Sequence, residues 1–171
     1  MGQPRYGHGI CQVDQFIYVF AGSDGITAIK ECEKYNVLED KWDGIAPLSR
    51  AISYICGIQF HNYIYIAGKG TKDCIQYDFR NNIFTKTKIR LPEFSLKIMA
   101  TYRDSLFVIS SGESAIEVDC NLKVISATTC PTVFKNCMNR IAYSNSKFYS
   151  LDFGNKLVIF KPVSKEVEVL V

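Results

Sequence analysis

Histidine and tryptophan are scarce in this chain, and the short motifs of several enzyme classes are missing. The 171 residues include two histidines and one tryptophan. No P-loop, no GxSxG nucleophile elbow and no HExxH motif occurs, which removes the sequence signals of phosphate-binding ATPases, α/β-hydrolases and zinc metalloproteases. His8 and His61 have no companions at the spacing of metal ligands. We therefore expect no catalytic residue, no metal site and no cofactor.

Concentrated charge and long apolar runs are also missing. The formal net charge is +3, and no block of Lys and Arg resembles the basic stripe of a nucleic-acid-binding protein. No apolar run is long enough to cross a bilayer, and the segment from Met1 to Tyr6 lacks the apolar core of a signal peptide. We expect a cytoplasmic protein, associated with the cytoskeleton or an organelle if it serves a larger assembly, with neither a nucleic-acid partner nor a membrane insertion.

The seven cysteines lack the close CxxC pairs of zinc ribbons and redox motifs. Their number is odd, so a full set of disulfides within one chain is excluded. Cys32 and Cys74 stand three residues before Tyr35 and Tyr77, as a small apolar position on a strand would. We predict reduced thiols packed in a core, in a reducing compartment.

What the chain does have is a repeat of about 42 residues. Four times, an aromatic or apolar residue is followed seven positions later by a second large apolar residue. These pairs are Tyr35 and Trp42, Tyr77 and Phe84, Val118 and Ile125, and Phe160 and Val167. Their first members stand 42, 41 and 42 residues apart, a period typical of arrays of small structural units.

Each repeat also contains an aromatic-rich segment that is apolar at nearly every position. In the first repeat this segment includes Tyr18, and in the second it includes Tyr65. Glycine-containing turns follow the segments, and 10 Tyr and 11 Phe favour strands over long helices. A strand that is apolar on both faces is typical of one buried between two sheets. We therefore predict four units of four strands each.

At these residues the sequence resembles the kelch repeat, in which a strand ends in paired glycines and is followed by a tyrosine and, seven positions later, a tryptophan. The matching residues of the first two repeats are Ala21, Gly22, Tyr35, Trp42, Gly68, Tyr77 and Phe84. The other two repeats are degenerate and keep Gly112 and the spacing that begins at Phe160. The glycines permit unusual backbone angles and the aromatic residues fill the space between sheets, so we interpret these positions as structural.

The resemblance implies an all-β fold, a β-propeller of four-stranded antiparallel blades in a single domain. The blades are predicted at about residues 5–45, 46–90, 91–130 and 131–171. Kelch propellers usually have more than four blades. These four therefore form either a small ring or a part of a larger propeller that further sequence or a second chain completes, and the second alternative is our expectation.

A basic residue precedes the first predicted strand of every unit: Arg5, Arg50, Lys97 and Arg140. In a ring, the four would lie near one rim, where they could grip an acidic peptide. In related kelch propellers this face commonly receives a partner. The alternative is that each basic side chain pairs locally with acidic groups or carbonyls.

The loop between the second and third strands of the first repeat is longer by about five residues than its counterparts. It contains Ser23, Asp24 and an exposed apolar residue, Ile26. Loops carry function disproportionately, so we predict that these three residues contact a partner.

The resemblance implies a non-catalytic protein–protein interaction module, either a scaffold or a structural subunit of a larger assembly. One alternative is the substrate-recognition part of a ubiquitin-ligase adaptor, a role that usually comes with BTB and BACK domains ahead of the blades. Neither domain occurs in these 171 residues, which favours the assembly role. A second alternative is a copper enzyme that resembles galactose oxidase, which two histidines disfavour.

Overall fold

Sixteen β-strands make up the regular secondary structure of the residues that the structure describes. The computed structural model describes residues 1–91, 97–110, 114–129, 142–144, 147–151, 157–161 and 166–170. These residues contain no helix, and hence none long and apolar enough to cross a membrane. The chain divides into two compact units, residues 1–94 and 95–171.

The first unit holds two antiparallel sheets of four strands in sequential order. The first sheet contains β1 Gly9–Val13, β2 Phe16–Ser23, β3 Ala28–Asn36 and β4 Lys41–Ile45. The second sheet contains β5 Ile55–Phe60, β6 Tyr63–Gly68, β7 Asp73–Asp78 and β8 Ile83–Arg90.

The second unit repeats this plan. One sheet contains β9 Lys97–Tyr102, β10 Ser105–Ser110, β11 Ser114–Val118 and β12 Val124–Thr129. The other contains β13 Ala142–Ser144, β14 Lys147–Leu151, β15 Leu157–Lys161 and β16 Glu166–Leu170. The predicted fold class, all-β with four-stranded antiparallel blades, is confirmed.

The seven-residue spacing has a simple structural origin. Three of the four pairs are direct cross-strand neighbours on the third and fourth strands of their sheets. These are Tyr35 with Trp42, Tyr77 with Phe84, and Phe160 with Val167. In the third sheet a β-bulge makes Val118 pair with Val124 instead of Ile125. Gly112 and the side chain of Phe160 lie outside the described residues.

Small residues bring β1 and β5 together in the first unit. A Cβ atom on Gly9 would lie 3.2 Å from Cγ2 of Ile55, and one on Gly57 would lie 3.4 Å from the ring of Phe20. Either contact is already at or inside ordinary van der Waals distance. The absence of a side chain at both glycines therefore lets the two sheets approach closely.

Aromatic rings from the two sheets of the first unit meet around Tyr77. The centroid of its ring lies 4.4 Å from that of Phe84, 5.7 Å from that of Phe20 and 5.9 Å from that of Tyr18. The Tyr77 side chain is buried, and burial raises the pKa of its hydroxyl. That hydroxyl donates a hydrogen bond to Oδ1 of Asn82 at 2.8 Å. Tyr77 is thus a core residue, as the sequence predicts.

The corresponding pair of the first sheet is less enclosed. The rings of Tyr35 and Trp42 lie 5.0 Å apart, but both side chains are only half-buried. The Tyr35 hydroxyl hydrogen-bonds the Asp40 carboxylate, which raises the pKa of Tyr35. The prediction that both residues belong to the core therefore holds only in part.

A β-bulge at Ala21 and Gly22, near the C-terminal end of β2, positions the chain that precedes β1. Ala21 has a φ of 49° and Gly22 a φ of 108°, and the pairing of β2 with β3 shifts between Phe20 and Gly22. Beyond the bulge, Ser23 and Tyr6 exchange backbone hydrogen bonds of 2.9 Å. A Cβ atom on Gly22 would lie 2.8 Å from the carbonyl oxygen of Tyr6. Glycine at position 22 thus serves both its backbone angle and this close approach.

Gly22 and Gly25 allow the cost of the close approach to be measured by itself. Their φ angles are 108° and 107°, but only at Gly22 would a Cβ atom meet a neighbour within 4 Å. We expect Gly25→Ala to lower the free energy of unfolding by about 1 kcal/mol and Gly22→Ala by about 3 kcal/mol, because only the second adds steric overlap to backbone strain. Urea denaturation of both variants measures the difference, and equal losses would contradict the interpretation.

Four cysteines support the core and are reduced. Cys11, Cys32, Cys56 and Cys74 are buried free thiols, whereas Cys120 is a free thiol on the surface. Burial raises the pKa of Cys11 and of Cys32 from 9.0 to about 11. The prediction of reduced, core-packed thiols is confirmed at the four buried positions. At Cys120 the thiol is free, and only the predicted core packing is wrong. Cys130 and Cys137 lie outside the described residues.

These raised pKa values predict a loss of stability in alkali. Between about pH 9 and pH 11 the Cys11 and Cys32 thiols ionise in the unfolded chain while they stay protonated in the folded one. The unfolded state therefore binds fewer protons, and the free energy of unfolding should fall as the pH rises through this range. Urea midpoints measured across it test the expectation. In Cys32→Ala the free energy of unfolding should fall less steeply with pH than in the wild type. Identical slopes in the two proteins would contradict a role for this thiol.

Candidate functional site

Arg5 is held against the first sheet by four hydrogen-bond acceptors. Its guanidinium donates hydrogen bonds to the carbonyl oxygens of Gln3, Ala21 and Glu31. It also forms an ion pair of 2.8 Å with the Glu33 carboxylate, and only 1% of the Arg5 side chain is exposed. These contacts match the alternative in which the basic side chain pairs locally with acidic groups and carbonyls. They leave no accessible face of Arg5 for a partner.

Strand register places the basic residues at non-equivalent positions. The central aromatic residue of each second strand pairs with Cys11, Ile58 and Ala100 in the first three sheets. Counted from these partners, Arg5 stands six residues earlier, Arg50 eight and Lys97 three. Arg5 thus corresponds to Ile52, a buried core residue, and not to Arg50.

Four basic residues, Arg5, Arg50, Lys97 and Arg140, were predicted to form a collar on one rim. Of those that the structure describes, Arg50 alone is exposed. Its guanidinium donates to the carbonyl oxygen of Gly70 at 2.8 Å. Lys97 is fully buried in β9, so its side chain cannot reach a partner on the surface. Arg140 lies outside the described residues. A collar of four equivalent basic residues does not follow from this arrangement.

The long loop after β2 is rigidly built, although it is exposed. Oδ1 of Asp24 accepts hydrogen bonds from the backbone N–H of Ile26 at 2.9 Å and of Thr27 at 2.8 Å. These bonds lower the pKa of the Asp24 carboxyl. The hydroxyl of Ser23, which is itself buried, donates to the carbonyl oxygen of Thr27 at 2.9 Å. The loop thereby holds Ile26 outward with its side chain 93% exposed.

Two tyrosines that the sequence analysis did not single out lie at the same edge of the first unit. Tyr6 pairs with Ser23 at the base of the loop, and its ring lies 6.4 Å from that of Tyr54. The Lys69 ammonium lies 5.8 Å from the centroid of the Tyr54 ring. Tyr6 is 51% exposed and Tyr54 is 41% exposed. We call Tyr6, Ile26, Tyr54 and Lys69 the rim patch.

The sequence contained a signal for the tyrosines. Tyr54 directly precedes β5, and Tyr6 stands three residues before the start of β1, so both lie outside the named strands. An aromatic residue in a connection is a candidate for contact with a partner, because tyrosine is enriched at interfaces. The pattern of basic residues indicated the arginines as partner contacts instead.

The residues described give no support for a metal centre. Among them, no group of three or more His, Cys, Asp and Glu side chains is placed to hold a metal ion. His8 lies just before β1 and His61 in the turn after β5. His8 therefore lies at the N-terminal end of the first strand of its sheet, and His61 lies at the C-terminal end of the first strand of the next sheet. Residues 92–96 and the other undescribed segments are outside this statement.

Comparisons with known proteins agree with the repeat. Residues 4–49 match the family described as the Kelch motif. Over 131 residues the chain is 23% identical to human Kelch repeat and BTB domain-containing protein 13, a match that covers 74% of the chain and 29% of the relative. Over 84 residues it is 30% identical to human Kelch repeat and BTB domain-containing protein 6, covering 48% of the chain and 12% of the relative. The chain thus spans less than a third of either relative.

The different surroundings of Arg5 and Arg50 lead to a prediction. Arg5→Met should lower the free energy of unfolding by about 3 kcal/mol, because Oε2 of Glu33 and three carbonyl oxygens lose the donor that the buried Arg5 side chain supplies. Arg50→Met should change it by about 0.5 kcal/mol or less, because its side chain is exposed. Urea denaturation measures both values, and equal effects would contradict the assigned environments.

Proposed function

The chain is a kelch-repeat protein, and from that premise we propose that it is a non-catalytic module that binds a protein partner through the rim patch. Kelch repeats indicate protein interaction as a general role. The observation that carries the specific proposal is the exposed group of Tyr6, Ile26 and Tyr54 at one edge of the first unit. Exposed apolar groups of this kind mark interaction sites on soluble proteins.

The construction of the patch favours binding. Interfaces depend on a few large side chains, among which tyrosine is enriched, and binding is stronger when these side chains are already fixed in place. Hydrogen bonds accepted by the Asp24 carboxylate and donated by the Ser23 hydroxyl fix the loop that carries Ile26. The edge-to-face contact between Tyr6 and Tyr54 restricts both rings. Little conformational entropy is therefore left to lose when a partner binds.

Two biological roles are compatible with such a module. We propose first a scaffold or structural subunit of a larger assembly in the cytoplasm, where the buried thiols stay reduced. The names of both relatives supply the observation for a second candidate, since each is called a kelch repeat and BTB domain-containing protein. A BTB domain beside kelch repeats suggests the substrate-recognition part of a ubiquitin-ligase adaptor.

We also propose that the chain is not an enzyme. Its two histidines lie at opposite ends of the first strands of their sheets, which does not favour a copper centre of the galactose oxidase type. The burial of Cys11 and Cys32 raises their pKa values to about 11, so neither thiol is a ready nucleophile near neutral pH.

Ile26→Asp tests the rim patch directly. The side chain is 93% exposed, so the substitution should leave the fold intact while placing a charge where the partner buries an apolar group. We expect at least a tenfold loss of the proteins that the full chain captures from a cell extract, measured by quantitative mass spectrometry against the wild type.

A matched control is available on the same sheet. Leu38 is 81% exposed in the turn between β3 and β4, at the opposite edge from the loop of Ile26. Leu38→Asp introduces the same charge and should keep the captured proteins. If Ile26→Asp kept the captured proteins and Leu38→Asp lost them, the binding surface would lie at the β3–β4 turn. That result would refute the proposal.

A further inference from the structure

A cleft of about 320 Å³ lies within the first unit. It lies between the connection from β4 to β5 and the outer strands β7 and β8. Six of the residues that line it are Leu48, Arg50, Lys72, Ile75, Phe84 and Lys86. A volume of this size is at the lower end of the range for ligand pockets, which suits one or two side chains of a peptide.

The floor of the cleft is apolar and rests on the core. Leu48 is buried in the hydrophobic cluster, and Ile75 and Phe84 pack against that cluster while remaining partly exposed. Ile75 pairs with Lys86 across β7 and β8, and Tyr77 pairs with Phe84. Paired residues share a face of the sheet, so Ile75, Phe84 and Lys86 all point to the same side. An apolar floor and a cation therefore stand next to each other.

The walls of the cleft carry positive charge, and hydrogen bonds hold one of the charged side chains in position. The Arg50 guanidinium is anchored to the carbonyl oxygen of Gly70 at 2.8 Å. Gly70 itself belongs to a tight turn, in which the Thr71 hydroxyl donates to the carbonyl oxygen of Gly68 at 2.8 Å. A guanidinium has five N–H donors, so one bond to Gly70 positions Arg50 without exhausting it. Lys86, on the facing strand, is exposed.

The negative charge of the cleft is already compensated. The Asp73 carboxylate, which belongs to the wall, forms an ion pair of 3.0 Å with Arg90. Arg50 and Lys86 thus give this part of the cleft an excess of positive charge. A ligand complementary to it must supply both negative charge and an apolar group to cover Ile75 and Phe84.

We propose that this cleft binds a short acidic segment of the partner protein, in which carboxylates flank one apolar side chain. The apolar side chain covers Ile75 and Phe84, and the carboxylates face Arg50 and Lys86. The inference rests on the proposed function and adds to it the chemistry of the bound segment. A bare phosphate ion would leave the apolar floor uncovered, and the carboxylate-flanked apolar residue satisfies both parts of the cleft.

Binding of defined peptides tests the proposal. The probes are fluorescein-labelled hexapeptides Gly-Glu-Asp-X-Glu-Gly, with X as Leu, Ile or Phe, measured by fluorescence polarisation on the full chain. We expect saturable binding that weakens at least tenfold in Arg50→Glu and in Lys86→Glu. Replacing X by Gly should also weaken it at least tenfold. Salt should reduce the affinity, because the contacts are partly exposed ion pairs.

Lys30→Glu is the matched control, since Lys30 is exposed on β3 and does not line the cleft. It changes the net charge by the same amount and should bind the peptides as the wild type does. Conversely, Lys86→Glu should gain affinity for the hexapeptide in which Lys replaces the acidic residues. Equal losses in Lys30→Glu and Lys86→Glu would reduce the effect to net charge and overturn the site.

Two further outcomes would also overturn the inference. One is that the peptides with Gly at X bind as well as the others, and the second is that a single-stranded oligonucleotide or inorganic phosphate competes fully with them. Neither outcome touches the rim patch, which the capture experiment with Ile26→Asp tests separately. Loss of capture in Ile26→Asp with no binding of the peptides would keep the proposed function and reject the cleft.

Discussion

The contact between Tyr77 and the aromatic residues of the neighbouring sheet is the interaction on which the first unit depends. A four-stranded sheet of this size cannot bury its apolar faces alone, so each inner strand needs a second sheet against it. Tyr18 and Phe20 on β2 supply that surface for Tyr77 on β7. The small residues Gly9 and Gly57 let the two sheets approach closely enough for the rings to meet.

This packing also creates the candidate binding surfaces. Because Tyr77 and Phe84 are fixed against β2, the connection through Leu48 and Arg50 must pass over the outer part of the same junction. The cleft is the space left where that connection and the outer strands diverge. The rim patch arises similarly, since the bulge at Gly22 draws the chain before β1 against the end of β2. In both cases the surface is exposed and its base is part of the core.

The sequence predicted the strands well because their spacing follows from geometry. A seven-residue interval between Tyr35 and Trp42 is the distance between two residues paired across a short hairpin, and it recurs wherever that hairpin does. It failed in the third sheet, where a bulge at Val118 shifts the register by one residue. A bulge depends on how one strand fits its neighbour, and such a fit leaves little trace in spacing alone.

The binding residues were harder to predict. The environment of a side chain in a connection depends on which neighbouring strands the connection contacts, and spacing alone does not give those contacts. Arg5 and Arg50 both precede a first strand, yet register aligns Arg5 with the buried Ile52 and Arg50 with Gln3. A buried guanidinium must satisfy its donors within the protein, and Arg5 does so on Glu33 and three carbonyl oxygens. Arg50, which stands two register positions before the counterpart of Arg5, keeps donors for other groups. The same residue type thus stabilises the fold at one position and offers charge to a partner at the other.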